Sequence, residues 1–205
     1  MRDWIITVTG ILLLCTANVC RSVMAQALLS ARLAARGVAV PVASAGLLAS
    51  GRPPPPEGAS VMAARGIDVT GHRSRIVTAD DLAAADLILG LGREHVRHAA
   101  VLLPGAWPRA FTIRELARRG RQAGARAAGE PLGDWLTRAA DGRRRPDLLG
   151  SHPADDVADP AGGPPRGYQA TADLLDQLTR DLVDLGWPNS GPLLESPRSV
   201  RNKGL

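Results

Sequence analysis

Aromatic side chains are rare in this chain, which has one Tyr, one Phe and four Trp in 205 residues. Its two cysteines, Cys15 and Cys20, fall in one short segment, so no framework of structural disulfides can hold the fold together. Unpaired cysteines are typical of a reducing compartment, and we expect a cytoplasmic protein. No run of residues is long and apolar enough to span a membrane, and we expect no membrane partner.

Lysine is nearly absent as well, because Lys203 is the only one. The formal net charge of +5 therefore comes almost entirely from arginine. The arginines are spread along the chain and no nucleic-acid-binding motif accompanies them, so we expect no nucleic-acid partner. An Arg-rich nucleic-acid binder stays as a distant alternative. A diffuse positive field that attracts phosphorylated, acidic substrates explains the charge more simply.

The most informative stretch is residues 10–29, GILLLCTANVCRSVMAQALL. The apolar residues 11–14 predict a buried strand, residues 15–22 form a turn, and the residues after it are typical of a helix. A strand followed by a loop and a helix N-terminus binds anions, because loop N–H groups and the positive helix end converge. A phosphate bound there would lie over Cys15. Arg21 can hold it with a bidentate guanidinium.

The residue types of this loop suit phosphoryl transfer. A thiol attacks phosphorus as the thiolate, which a helix N-terminus and a nearby cation stabilise. Fixed hydrogen-bond donors stabilise the charge that spreads over the transferring oxygens. Asn18 tolerates left-handed backbone, and Ser22 is placed to hydrogen-bond the sulfur or to cap the helix. The sequence therefore predicts a covalent phosphatase that needs no metal ion and no cofactor.

Two other interpretations of the N-terminal region are weaker. If Cys15 and Cys20 were half of a metal site, a second cysteine pair or grouped histidines would be needed, and the sequence has neither. Arg2 and the apolar residues 4–14 are similar to a secretory signal. However, Asp3 lies in the charged region, and leucines occupy the place of small cleavage-site residues.

The loop and several downstream segments resemble the low-molecular-weight protein tyrosine phosphatases. The loop of that family reads Cys, five residues, Arg and Ser, with Asn third after the nucleophile and a second Cys just before the Arg. This chain has Cys15, Thr16, Ala17, Asn18, Val19, Cys20, Arg21 and Ser22 in that order. Further matches are Ser44-Ala45-Gly46, Gly66-Ile67-Asp68, His72-Arg73-Ser74-Arg75, Asp86-Leu87-Ile88-Leu89 and Asp159-Pro160.

The resemblance implies an α/β fold, a three-layer open sheet of about four parallel strands flanked by helices. It implies that Cys15 is the nucleophile, that Arg21 and the loop hold the phosphoryl group, and that Asp159 is the general acid. It implies hydrolysis of phosphotyrosine in a protein substrate through a cysteinyl-phosphate. The residues implied to support the loop through hydrogen bonds are Asn18, Ser22, Ser44 and His72.

The chain departs from the family pattern at Ala17, where Gly is usual, and at Val23, where Pro is usual. The aromatic residues that wall the phosphotyrosine slot are not evident. Phosphoarginine, a small phosphorylated metabolite and a binding module without turnover therefore stay as alternatives. The related arginine phosphatases carry Thr at the position of Val19, so the apolar residue there favours the tyrosine-type enzymes.

Two further assignments stay open on the sequence alone. Spacing does not separate Asp159 from its neighbours Asp155 and Asp156 as the acid. Cys20 is either the partner of Cys15 in a reversible disulfide or a small buried side chain.

The periodicity of apolar residues and the positions of Gly and Pro predict alternating strands and helices in one domain over residues 1–187. They also predict an insertion near 116–155 and a disordered tail over 188–205. Predicted strands cover residues 4–14, 38–43, 86–91 and 109–113. Predicted helices cover residues 22–35, 57–65, 80–85, 93–103, 134–140 and 168–185.

Overall fold

The computed structural model describes residues 10–48 and 50–188. Within them, four strands form one sheet: β1 (Ile11–Cys15), β2 (Val42–Gly46), β3 (Leu87–Gly90) and β4 (Ala110–Thr112). All pairings are parallel, and the strand order is β2-β1-β3-β4. This order places β1 inside the sheet, so the residue that follows its carboxyl end lies where ligands bind open α/β sheets.

Among the described residues, seven α-helices connect and cover the strands. They are α1 (Arg21–Ala35), α2 (Pro56–Ala63), α3 (Ala79–Ala84), α4 (Arg93–Leu102), α5 (Ile113–Ala123), α6 (Leu132–Ala139) and α7 (Pro165–Gly186). Short 3-10 turns occupy Pro104–Arg109 and Arg145–Leu148. None of the helices within the described ranges is long and apolar enough to cross a membrane.

The side chains of β1 alternate between two apolar cores, one on each face of the sheet. Ile11 and Leu13 belong to the core that includes residues of α1, α5 and α7. Leu12 and Leu14 belong to a smaller core that includes residues of α3 and α4. Helices therefore cover both faces, and the predicted three-layer arrangement with four parallel strands is confirmed.

The predicted second strand was placed too early. Residues 38–40 precede the sheet, where Val38 N–H donates to Leu33 O at the end of α1 and closes the turn after that helix. Pro41 has no N–H to donate, but its carbonyl accepts from Ile11 N at 2.8 Å. The ladder therefore begins after the proline, at Val42. β-branched residues misled the prediction, because their propensity says nothing about where pairing starts.

Helix α5 was not predicted, although its start carries a clear signal. Thr112 and Glu115 form a reciprocal capping box, the T-x-x-E pattern that precedes many helices. Gly120 lies inside this helix, and a Cβ there would lie 3.0 Å from the Trp135 ring. Glycine is present because α6 packs close to α5 at this point.

Two of the rare aromatic residues anchor the segment after α6. The guanidinium carbon of Arg143 lies 3.9 Å from the Trp107 ring centre and 4.3 Å from that of Phe111. Its Nε also donates to Glu115 Oε1 at 2.6 Å. These contacts tie the predicted insertion near 116–155 to the edge strand β4.

Parts of the predictions lie outside the described residues. This applies to residues 4–9 of the predicted first strand and to the predicted tail beyond residue 188. The division into one domain with an insertion and a tail stays a prediction.

Candidate active site

The loop of residues 15–22 begins at the carboxyl end of β1 and runs into the first turn of α1. Cys15 is the last residue of the strand and is buried. Its Sγ accepts a hydrogen bond from Asn18 N at 3.2 Å and lies 3.0 Å from Ser22 Oγ. The predicted strand, loop and helix N-terminus are therefore all in place around the thiol.

Asn18 determines the shape of this loop. Its φ is 52°, and it is the only residue other than glycine with positive φ in ranges 10–48 and 50–188. Its fully buried side chain donates from Nδ2 to Ser22 Oγ (3.0 Å) and Ser44 Oγ (2.8 Å). Its Oδ1 accepts from Arg75 N at 3.0 Å. Ala17 is not in the left-handed region, so the missing family glycine causes no backbone strain there.

Ser44 and His72 reach the loop from outside it. Ser44, in the middle of β2, accepts from Asn18 and donates to Gln26 Oε1 at 2.6 Å. His72 Nε2 lies 2.8 Å from Asn18 O. The structure therefore brings these two side chains to the loop, although their functional roles stay a prediction.

Close backbone approach fixes the end of β2 against the loop. A Cβ at Gly46 would lie 2.9 Å from Asn18 N and 3.0 Å from Ala17 C. The next residues, Leu47 and Leu48, donate their N–H groups to Thr16 O at 2.8 and 3.2 Å. Only glycine fits where the strand crosses the loop this closely.

Arg21 is a charged side chain that is 8% exposed. Its Nη1 donates to Val157 O at 3.2 Å, and its Nη2 donates to Thr16 Oγ1 at 3.1 Å and to Asp159 Oδ2 at 2.6 Å. The carboxylate of Asp159 is 45% exposed. The guanidinium and a solvent-accessible carboxylate therefore face each other beside the loop.

The two other candidates for the general acid, Asp155 and Asp156, form their hydrogen bonds with residues outside the loop. Asp155 is buried and pairs with Arg93 at 2.7 Å and Arg118 at 2.8 Å. Burial raises the pKa of Asp155, but the hydrogen bonds from the two arginines outweigh it and hold the pKa below its usual range. Asp156 Oδ1 accepts from Arg93 N at 2.7 Å. Of the three, Asp159 is the one that contacts a residue of the loop.

A histidine that sequence reasoning missed also lies against the loop. His95 is fully buried, and its Nε2 lies 3.1 Å from Thr16 Oγ1. Thr16 Oγ1 donates to Glu94 Oε1 at 3.2 Å. Burial and the nearby charge of Arg21 lower the pKa of His95 to about 4. The available signal was position, because residues that follow β3 come to the same sheet edge as Cys15.

The second cysteine of the loop has a raised pKa. Cys20 is buried, and both cysteines are free. Burial, followed by the negative charges of Asp159 and Cys15, raises the pKa of Cys20 to about 12. Val19 next to it is also buried. Within the described part of the chain, no three His, Cys, Asp or Glu side chains are grouped as metal ligands would be.

In the described part of the chain, the residues after β2 that contact the loop and those that directly follow Asp159 are aliphatic or small. Leu48, which is half exposed, lies on one side, and residues 161–163 after Asp159 are exposed small residues. Tyr168, the one tyrosine, is buried in the core against the backbone of Gly58. A cleft of about 360 Å³ opens beside Arg21, and the predicted insertion contributes to its wall. The lining residues are Arg21, Gly92, Glu94, Arg97, Gly150, Ser151 and Asp156.

Comparison with known proteins gives a family match over the region that contains the loop. The family model described as low molecular weight phosphotyrosine protein phosphatase matches residues 10–125. A probable low molecular weight protein-tyrosine-phosphatase, EpsP of Ralstonia solanacearum, is 42% identical over 106 residues, which are 52% of this chain and 71% of that protein. The protein-arginine-phosphatase of Bacillus subtilis is 28% identical over 174 residues, 84% of this chain and 93% of that one.

Solved structures give the same result. The crystal structure of a low molecular weight protein tyrosine phosphatase from T. tengcongensis superimposes with a TM-score of 0.65 and 29% identity, covering 85% of this chain and 97% of that chain. A thiol at a strand end, a helix N-terminus and a buried arginine define a cysteine-phosphatase type of site. The chain belongs to the low molecular weight phosphotyrosine protein phosphatase family.

Proposed function

We propose that this protein is a metal-independent cysteine phosphatase that hydrolyses phosphotyrosine in proteins. The observation that carries the proposal is the position of Cys15 Sγ, which lies 3.2 Å from Asn18 N and 3.0 Å from Ser22 Oγ at the N-terminus of α1. Because Ser22 Oγ accepts from Asn18 Nδ2, its own proton is free to point at the sulfur. Two donors then stabilise the thiolate form of Cys15.

In the proposed first step, the phosphate of the substrate enters the loop and binds the amides of residues 16–20 and the fork of Arg21. It displaces the Asp159 carboxylate from Arg21. The thiolate of Cys15 attacks phosphorus, an S–P bond forms, and the ester P–O bond breaks. Asp159, which takes up a proton from solvent once it has left Arg21, gives that proton to the leaving oxygen.

In the proposed second step, Asp159 takes a proton from a water molecule that attacks the same phosphorus. The S–P bond breaks, inorganic phosphate leaves, and Cys15 is again a thiolate. Arg21 and the loop amides stabilise the charge on the equatorial oxygens in both steps. Since the mechanism needs a free Cys15, we infer that the protein works in a reducing compartment such as the cytoplasm.

Hydrolysis of an aryl phosphate in the presence of a chelator tests this proposal. We expect Cys15→Ser to abolish turnover. Asp159→Asn should lower kcat by about 10² to 10⁴, with a larger loss for phenyl phosphate than for p-nitrophenyl phosphate because the poorer leaving group needs the proton more. Asp134→Asn, an exposed carboxylate on α6, is the matched control. Turnover that survives in Cys15→Ser would overturn the mechanism.

A protein-arginine phosphatase is the second candidate, because the Bacillus subtilis protein of that name aligns with 84% of this chain. Val19 supports phosphotyrosine instead, since the arginine-type enzymes carry Thr at that position. Values of kcat/KM for matched phosphotyrosine and phosphoarginine peptides separate the two. We expect the wild type to prefer phosphotyrosine and Val19→Thr to shift the ratio toward phosphoarginine. A wild-type preference for phosphoarginine would reverse the assignment.

A further inference from the structure

We propose that His95 is a positioning residue for Arg21, acting through the hydroxyl of Thr16. The proposal rests on the proposed function, in which Arg21 holds the phosphoryl group. Thr16 Oγ1 lies 3.1 Å from Arg21 Nη2, 3.1 Å from His95 Nε2 and 3.2 Å from Glu94 Oε1. Three polar groups therefore converge on one hydroxyl.

The chemistry of the three groups fixes the direction of each hydrogen bond. A hydroxyl donates one hydrogen bond and accepts two. The guanidinium of Arg21 can only donate, and the carboxylate of Glu94 accepts. Thr16 therefore donates to Glu94, and its two lone pairs accept from Arg21 and from an N–H of His95. This arrangement satisfies all three contacts.

The direction of these bonds also assigns the tautomer of His95. The proton must be on Nε2, which leaves Nδ1 as a bare acceptor. Nδ1 is buried and makes no hydrogen bond of good geometry in the described part of the chain, and the backbone of Gly92 lies close enough to the ring to raise its pKa. Because the ring is fully buried beside the charge of Arg21, the neutral form supplies an N–H without adding a second cation.

His95 contributes more to holding Arg21 once the substrate is bound. In the free protein, Arg21 Nη2 also contacts Asp159 Oδ2. According to the proposed mechanism, Asp159 leaves Arg21 to protonate the leaving group, so the contact to Thr16 is the one that persists. Glu94 is 55% exposed and solvent competes for it, whereas His95 is fully buried. His95 is therefore the rigid support that keeps Thr16, and with it the fork of Arg21, in place.

A double-mutant cycle tests the proposal. His95→Phe keeps a ring but removes the N–H, and Thr16→Val removes the hydroxyl at nearly constant shape. We expect each change to lower kcat/KM and to weaken the affinity for inorganic phosphate by about tenfold, the size of one hydrogen bond to a charged group. The double variant should lose no more than the larger single loss, because both act on the same contact. His95→Gln, whose amide N–H reaches a similar position, should recover most of the loss.

Phosphate affinity is measured by calorimetry in the wild type and all variants, so the test does not depend on turnover. If the wild type bound phosphate but had no turnover, the proposed function would be wrong, and the role of His95 could still be tested by phosphate affinity. His98→Phe, an exposed histidine on the same helix, should bind phosphate like the wild type. Should His95→Phe fail to fold, Thr16→Val compared with Thr16→Ser asks the same question. Additive losses, no recovery in His95→Gln, or unchanged phosphate affinity in Thr16→Val would overturn the proposal.

Discussion

Asn18 couples the backbone of the loop to its support, because one buried side chain makes three hydrogen bonds while its own φ is 52°. We predict that Asn18→Ala removes one hydrogen bond each from Ser22 Oγ, Ser44 Oγ and the Arg75 amide. It also places alanine, which has no polar group to compensate, in left-handed backbone. The expected cost is about 3 kcal/mol of the free energy of unfolding. Urea unfolding measures it, together with a loss of kcat of at least tenfold.

Asn18→Gly separates the two contributions to this loss. Glycine adopts the left-handed region without strain, but it makes none of the side-chain hydrogen bonds. We expect it to recover part of the stability and little of the kcat. If both variants retained wild-type kcat, the side chain of Asn18 would have no role in shaping the loop.

His95 gives the stability of the protein a specific dependence on pH. Burial and then the charge of Arg21 hold the pKa of His95 at about 4, while a hydrogen bond with the backbone of Gly92 and the charges of Asp156 and Asp159 oppose them. An unfolded histidine has a pKa of about 6.5. As pH falls from about 6.5 to about 4, the unfolded chain binds a proton that the folded protein does not. Stability is therefore full above this window and is lost as pH falls through it, by about 3 kcal/mol at most.

Urea unfolding of the wild type and His95→Gln between pH 7 and pH 4 checks this prediction. Glutamine does not titrate, so the wild type should lose up to about 3 kcal/mol more than the variant over that range. Glu94, whose Oε1 lies 3.3 Å from His95 Nε2, is present in both proteins. His98→Gln is the control for an exposed histidine. Parallel stability curves for the wild type and His95→Gln would contradict the assignment.

At the scale of elements, the end of β2 is a fixed wall for the loop. Gly46 N donates to Arg75 O and Gly46 O accepts from Val77 N, each at 2.8 Å, so the strand end cannot retreat. We predict that Gly46→Ala pushes its Cβ into the backbone at Asn18, 2.9 Å away. The expected result is a loss of about 1–3 kcal/mol of stability and a lower kcat/KM, seen in aryl phosphate hydrolysis.

Gly10→Ala is the matched control for this change. It lies before β1 at the opposite end of the sheet, where a Cβ meets Pro41 O at an ordinary 3.5 Å. We expect near wild-type stability and turnover for this variant. Equal effects of the two substitutions would show that the close approach at Gly46 is unimportant.

The elements also show what the sequence can and cannot predict. The 15–22 loop was predictable because its chemistry is local: a thiol, an Asn, an Arg and a Ser at fixed spacing between a strand and a helix. Ser44 and His72 came from the resemblance to a family, since nothing near them in sequence indicates their partners. His95 was missed because a buried histidine gains meaning only from the order of strands, which brings the end of β3 beside β1.

The errors in the predicted strands and helices also have physical causes. The early placement of β2 relied on the β-branched residues that precede Pro41, whereas the ladder starts after it, at Val42. The missed helix α5 contains Gly120, whose presence is explained by Trp135 packing from another helix. Such contacts between distant elements override local propensity, and a single sequence does not display them.

At the scale of the whole molecule, much of the arginine charge is already paired. The Arg-rich stretch around residues 114–126 forms ion pairs that include Arg118 with Asp155 at 2.8 Å and Arg119 with Glu115 at 3.2 Å. This stretch is therefore not a bare basic surface, and it gives no support to the nucleic-acid alternative. We therefore interpret the net charge of +5 as the source of a diffuse positive field.

A diffuse field predicts how ionic strength affects the proposed reaction. Two phosphotyrosine peptides are compared, one with Asp and Glu around the phosphotyrosine and one with Ala and Ser. Raising ionic strength from about 0.02 M to 0.5 M shortens the Debye length well below 10 Å. We expect kcat/KM for the acidic peptide to fall about fivefold, the neutral peptide to lose less, and both kcat values to stay constant. We expect constant kcat values because Arg21 and Cys15 are buried, and salt screens the interactions of buried charges only weakly. Equal salt dependence of the two peptides would mean that contacts at the phosphate itself, and not the field of the whole protein, set the attraction.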